Sequence, residues 1–170
     1  MGIQLNLEAL QEKRVTGIEN SKINPSVFTT NSALSANSGT ILFYFNALAK
    51  FNKRLLVFGD SFVQSCLPIL SNYFSEIIFL RSPFIIPDLA DNLEPDFILT
   101  SNAERYLTSI QNAKAKKPYF LHYFSTQFNP KNFEPTHLEA LIALFSGRYS
   151  HEYRSWKRQR MIEAKEKVNF

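Results

Sequence analysis

Three short apolar runs recur along the chain, each closed by a polar turn and followed by a segment of helical length. They are Leu55 to Phe58 (LLVF), Glu76 to Leu80 (EIIFL) and Phe97 to Thr100 (FILT). The continuous apolar run Leu55 to Phe58 is what a strand buried on both faces of a parallel sheet looks like, and the other two read as further strands. Strands of that kind alternating with helices predict an α/β fold: a three-layer, doubly wound parallel sheet. The intervening helices are expected over 62–74, where Pro68 marks a kink or break, around Leu89 and Ala90, and over Ala103 to Ala113. Tyr119 to Phe124 (YFLHYF) reads as a fourth strand and Leu138 to Phe145 (LEALIALF) as a strong helix.

The first 50 residues depart from this alternation. Residues 3–14 fit a short amphipathic helix, Val27 to Thr30 is β-prone, and the Asn/Ser-rich stretch 31–40 is a loop. The apolar segment 41–51 (ILFYFNALAKF) reads as a strand, a helix, or one turning into the other, with Asn52-Lys53-Arg54 breaking it. The expected organisation is an N-terminal extension over 1–40, the α/β domain over 41–147 and a basic helical tail over 148–170.

Charge separates the tail from the body. Residues 1–147 hold twelve Lys/Arg and twelve Asp/Glu, whereas 148–170 hold seven basic and three acidic groups, so the whole net charge of +4 lies in the tail. The tail mixes aromatics with cations, but its acids favour a solvated helix or an arm for a protein partner, and no nucleic-acid partner is expected. A single cysteine, Cys66, excludes a disulfide framework and a Cys-rich zinc site. The five glycines are scattered, so no phosphate loop is present, and no metal or cofactor is expected. No run reaches the ~18 apolar residues of a membrane span. The start lacks the basic head and apolar run of a secretory signal, and Asn6 spoils a myristoylation pattern; a cytoplasmic location is the expectation.

In an open parallel sheet, sites form beyond the carboxyl ends of the strands, at the topological switch point. Two polar clusters fall at such ends: Gly59-Asp60-Ser61, and Ser101-Asn102 with Glu104 and Arg105 just beyond. A serine in a tight strand-to-helix turn projects its Oγ from the sheet edge, beside free helical N–H groups suited to an oxyanion. The plainer reading makes Asp60 and Ser61 turn and N-cap residues.

The series VFGDSF, EIIFLRSPF and PDFILTSNAERYL, in that order, resembles the SGNH/GDSL hydrolase superfamily. The closer resemblance is to its branch of polysaccharide O-acetyltransferase-like proteins, such as those that acetylate alginate, and it covers about residues 40–110. The resemblance implies a flavodoxin-like, SGNH-type domain and acyl-ester chemistry on a glycan, either O-acetyl transfer in polysaccharide biosynthesis or esterase activity. It makes Ser61 the nucleophile, with its backbone N–H and the Asn102 side chain as oxyanion donors. Glu104-Arg105 matches the branch's E-R pair. Arg81 or Ser82 stands where the family has a glycine donor.

A serine nucleophile needs a base. The branch carries an Asp and His pair upstream of its GDS motif, yet residues 1–58 contain neither residue type. In ordinary GDSL hydrolases an Asp-x-x-His precedes the last helix; here Glu134-Pro135-Thr136-His137 stands at that place. Glu134 can orient His137, and His137 can take the Ser61 proton. Alternatively Thr136 caps the helix and His137 is merely its first exposed residue. His122 is expected within the fourth strand and His151 in solvent. The rival expectation is a non-catalytic SGNH-like module that binds a glycan or a protein and lacks a working base, or a chain that is the C-terminal part of a larger enzyme.

Overall fold

The structure is a computed structural model and describes residues 26–29, 38–104, 119, 123, 139, 143–148 and 150–168. The described strands are β1 (Ser26–Thr29), β2 (Ile41–Phe45), β3 (Phe51–Gly59), β4 (Phe74–Arg81) and β5 (Phe97–Ser101). The helices are α1 (Ser61–Leu70), α2 (Pro87–Leu93) and α3 (His151–Val168). The strands form one sheet in the order β1-β2-β4-β3-β5.

The parallel part of the sheet is β4-β3-β5, so the chain leaves β3 in one direction to make β4 and then crosses back to lay β5 on the other side of β3. Crossovers of one hand taken in opposite directions place their helices on opposite faces. Accordingly, Val63 and Leu67 of α1 pack on Leu55, Val57, Ile77 and Phe79, whereas Leu89 and Leu93 of α2 pack on Leu56, Phe58, Ile78 and Leu80. The two sets alternate along each strand because successive side chains point to opposite faces. The expected doubly wound α/β architecture is therefore present, with a refinement. The sheet is mixed, because β2 runs antiparallel to β4 and β1 antiparallel to β2.

Segment 41–51 resolves as a strand and a turn. Asn46 is buried at the end of β2; its Oδ1 accepts from Leu48 N–H and its Nδ2 donates to Ser71 O. This Asx turn competes with continued extension and ends the strand. Asn52-Lys53-Arg54 does not break the chain out of the sheet but lies inside β3. The register slips between Phe51 and Arg54, which leaves Asn52 and Lys53 exposed at the strand's start and sets Arg54 opposite Glu76. α1 stops at Leu70 rather than near 74. Pro68 offers no N–H to the helix, and Ser71 closes the end by donating from Oγ to Pro68 O.

Of the expected fourth strand, only Tyr119 and Tyr123 are described, and both have helical backbone. They are fully buried and four residues apart, the spacing of one helix face. The expected helix 3–14 and the body of 103–113 lie outside the described residues. Glu139 and Ala143 to Phe145 are helical, as the sequence predicts.

The tail is helical but not free of the body. Tyr153 and Trp156 are buried on the face that carries α2, and the Trp156 ring meets Phe43 and Phe45 edge-on at 5.0 and 5.4 Å. Beneath α3 lies a charged cluster. Arg54 and Glu76, 2% and 1% exposed, pair at 2.7 Å, and Lys157 of α3 reaches the other Glu76 oxygen at 2.6 Å. The Arg54 guanidinium also donates to Leu93 O and lies 4.5 Å from the centre of the Tyr153 ring. Nearby, burial alone raises the Asp96 pKa. Hydrogen bonds from Arg54 N–H and Lys53, with the charges of Arg148 and Lys53, outweigh that effect and hold it below the ordinary carboxylate value.

Removing one partner of a buried ion pair strands the other, at a cost of about 3–5 kcal/mol. Glu76→Ala is expected to lower unfolding free energy by about that much in urea titrations, whereas Lys53→Ala, at an exposed pair with Asp96, changes it by less than about 1 kcal/mol. Equal effects of the two substitutions would contradict this account of α3 docking.

Candidate active site

The switch point lies where β3 and β5 end side by side. Gly59 pairs with Arg81 of β4 on one side and with Ser101 of β5 on the other. The strands approach closely here. A Cβ on Gly59 would lie 2.5 Å from Ser101 O and 2.4 Å from Val63 Cγ1, so only glycine fits.

Asp60 follows with extended backbone and caps α1. One carboxylate oxygen accepts from Phe62 N–H at 2.9 Å and the other accepts from Ala103 N–H at 2.8 Å. The N-cap expected from the sequence thus also fastens the segment after β5 to the start of α1. Ser61 is the first residue of α1 and is exposed. At that position its backbone N–H is one of the helix's orphan donors, open to an external acceptor.

Asn102 stands one residue beyond β5. Its Nδ2 donates to Pro83 O at 3.0 Å, which fixes the amide orientation, because the reversed amide would set two oxygens together. One amide hydrogen remains, and Oδ1 is buried without a partner among the described residues. Asn102 lines a cleft of about 250 Å³ together with Ser38, Gly59, Asp60, Arg81, Ser82 and Pro83. Ser61 adjoins this cleft in sequence but is not part of its lining.

In the wall of the cleft, Ser82 is buried and donates from Oγ to Phe84 O at 2.6 Å. Burial raises the Tyr123 phenol above its ordinary pKa, against hydrogen bonding with Ser82 and Ser38 that lowers it. Gly39, at φ +84°, lies against the Tyr123 ring, a conformation and a contact that a side chain would oppose. Ser38 was not legible as a site residue. Its stretch reads as an ordinary Asn/Ser-rich loop, and the only local signal is the glycine beside it.

Five candidate residues, Asp60, Ser61, Arg81, Asn102 and Glu104, fall in the described structure, and all but Ser61 and the exposed Glu104 line the cleft. Glu134, His137 and Arg105 lie outside the described residues, as does His122. His151 is exposed at the start of α3, on the α2 side of the sheet, opposite the face that α1 covers. No cluster of metal-ligating side chains occurs among the described residues. No helix among them is long and apolar enough to cross a membrane.

No family model matches the chain, and no curated protein does. Two solved structures of PatB1 from Bacillus cereus, one with a sulfonyl adduct, are similar to part of it, at 20% and 18% identity and a TM-score of 0.35 each. Each similarity covers 39% of this chain, which spans only 23% and 24% of those proteins' length.

Removing the Asp60 carboxylate would leave two N–H groups unpaired in separate segments. Loss of an N-cap alone costs about 0.5–2 kcal/mol. Asp60→Ala is expected at or above the upper end of that range, about 2–3 kcal/mol, with faster amide hydrogen exchange at both Phe62 and Ala103. Exchange that quickens at Phe62 alone would show that the second arm contributes nothing.

Proposed function

We propose that this chain is an SGNH-like domain of the polysaccharide O-acetyltransferase-like branch, and that it transfers or hydrolyses O-acyl groups of a glycan at the switch-point cleft. The observation that carries the reading is an exposed serine at the first position of a helix that begins at the switch point, with the Asn102 amide at the end of the adjoining strand. The ordered motifs VFGDSF and PDFILTSNAERYL support the family assignment.

In this mechanism Ser61 Oγ attacks the acyl carbonyl while His137, oriented by Glu134, takes its proton. The developing oxyanion is held by the Ser61 N–H and the free Asn102 amide hydrogen. The intermediate collapses, expelling the alcohol, which takes its proton from His137 and leaves an acyl-serine. A glycan hydroxyl then attacks this ester in transfer, or water in hydrolysis, with His137 again moving the proton. Asp60 is a positioning residue, since its carboxylate oxygens hold backbone N–H groups. Glu104 and Arg105 are assigned to substrate binding. The outward face of α3, where Arg154 and Arg158 are exposed, is the surface for a protein partner.

A second reading, a binding module without a base, is favoured by a specific observation. Residues 1–58 supply no Asp or His, and the acid next to Ser61 is engaged by the turn. Labelling with a fluorophosphonate probe separates the two. The enzyme reading predicts Ser61-dependent labelling, abolished in Ser61→Ala and slowed by about a hundredfold or more in His137→Ala. Absence of labelling in the unaltered chain would establish the binding module instead.

A further inference from the structure

We infer that the switch-point cleft takes a ligand bearing an anionic group, a carboxylate or a phosphate, and that Arg81 is the residue that reads it. The inference deepens the acyl-transfer reading by naming a chemical class for the ligand of the same cleft, and rests on it to that extent.

Arg81 is the last residue of β4. Its backbone donates to Thr40 O at 2.8 Å and accepts from Gly39 N–H at 2.8 Å, and on its other side it is paired with Gly59 of β3, so the sheet fixes where its side chain departs. That side chain is partly buried and lines the cleft. Among the described residues no carboxylate pairs with its guanidinium. Among the described residues, each of the other arginines that is at least partly buried has a carboxylate partner: Arg54 pairs with Glu76, Arg148 with Asp96 and Arg160 with Glu163. The acid that shares the cleft, Asp60, has both oxygens committed to backbone N–H groups.

A partly desolvated guanidinium without a counter-ion loses hydration that a bound anion restores. Its planar fork matches carboxylate and phosphate with two parallel hydrogen bonds. The other open group in the cleft is of opposite character. Asn102 Oδ1 is a buried acceptor without a partner among the described residues, and it suits a hydroxyl on the same ligand. Gly59 pairs with Arg81 on one side and Ser101 on the other, so Arg81 and Ser101 start about 10 Å apart across two strand spacings. One small ligand can therefore meet Arg81 and the neighbouring Asn102 together. The backbone N–H at position 81 is taken by Thr40 O, so the side chain is what this residue offers a ligand, and its charge discriminates among ligands.

The test is a titration of the isotopically labelled chain with acetate, inorganic phosphate and neutral acetamide, following the Arg81 Nε–H resonance and, in every variant as well, the side-chain amide resonances of Asn102 in the same cleft. The expected result is a saturable shift with acetate or phosphate and none with acetamide, and the preferred anion tells whether carboxylate or phosphate is read. Arg81→Gln should weaken that binding by about tenfold or more, and Arg81→Lys, which keeps the charge without the fork, by less. Should Arg81→Gln fail to fold, the acetamide control and the Arg81→Lys titration carry the comparison. No saturable shift with either anion, or unchanged affinity in Arg81→Gln, would overturn the inference. Fluorophosphonate labelling of the same samples reads the serine separately. Labelling without anion binding overturns this inference alone, and anion binding without labelling overturns the acyl-transfer reading alone.

Discussion

The cleft depends on one carboxylate. Asp60 holds the first turn of α1 with one oxygen and the segment after β5 with the other, so two stretches 43 residues apart in sequence meet at one side chain. Neither backbone donor has a partner within its own element. A helix's first N–H groups lie beyond its ladder, and Ala103 lies beyond the end of β5. Satisfying both with one short acid draws the ends of β3 and β5 together, and Gly59 permits that approach because it has no Cβ. The exposed serine and the Asn102 amide are brought to one end of the sheet by this arrangement.

The opposite face is organised by a second charged group with a different task. Arg54 and Glu76 lie opposite each other in adjacent parallel strands, where apolar residues occupy the following positions. Lys157 completes the cluster from α3, while Trp156 of the same helix packs on Phe43 and Phe45. Hydrophobic contact supplies attraction without direction. The ion pairs add position, because Glu76 has two oxygens and each already has its cation. The basic segment that carries the chain's net charge is in this way tied to the sheet through an acid on β4.

Much of this was legible in the sequence, for physical reasons. The runs Leu55 to Phe58 and Glu76 to Leu80 announce strands covered on both faces, and the Gly-Asp-Ser turn announces a capped helix; Phe97 to Thr100 announces a strand too, but Phe97 and Ile98 are exposed there. Other features depend on tertiary partners and could not be read locally. Asn52-Lys53-Arg54 looks like an interruption until Glu76 is known to stand opposite Arg54. The tail reads as a solvated helix because its buried residues, Tyr153 and Trp156, are few among many charges. Tyr119 and Tyr123 resemble a strand in composition, and only their shared burial four residues apart reveals a helical face. At the site, the motifs pointed to Asp60, Ser61 and Asn102, but nothing local marked Ser38, or the double engagement of Asp60.

The central claim is that the serine at the switch point forms an acyl intermediate. Its most direct test is intact-mass and peptide mass spectrometry of the chain after brief exposure to an activated acetyl ester, quenched in acid. The account predicts a mass gain of one acetyl group, carried by the peptide that contains Ser61 and absent from Ser61→Ala. An acetyl group found only on lysines, or equally abundant in Ser61→Ala, would contradict it.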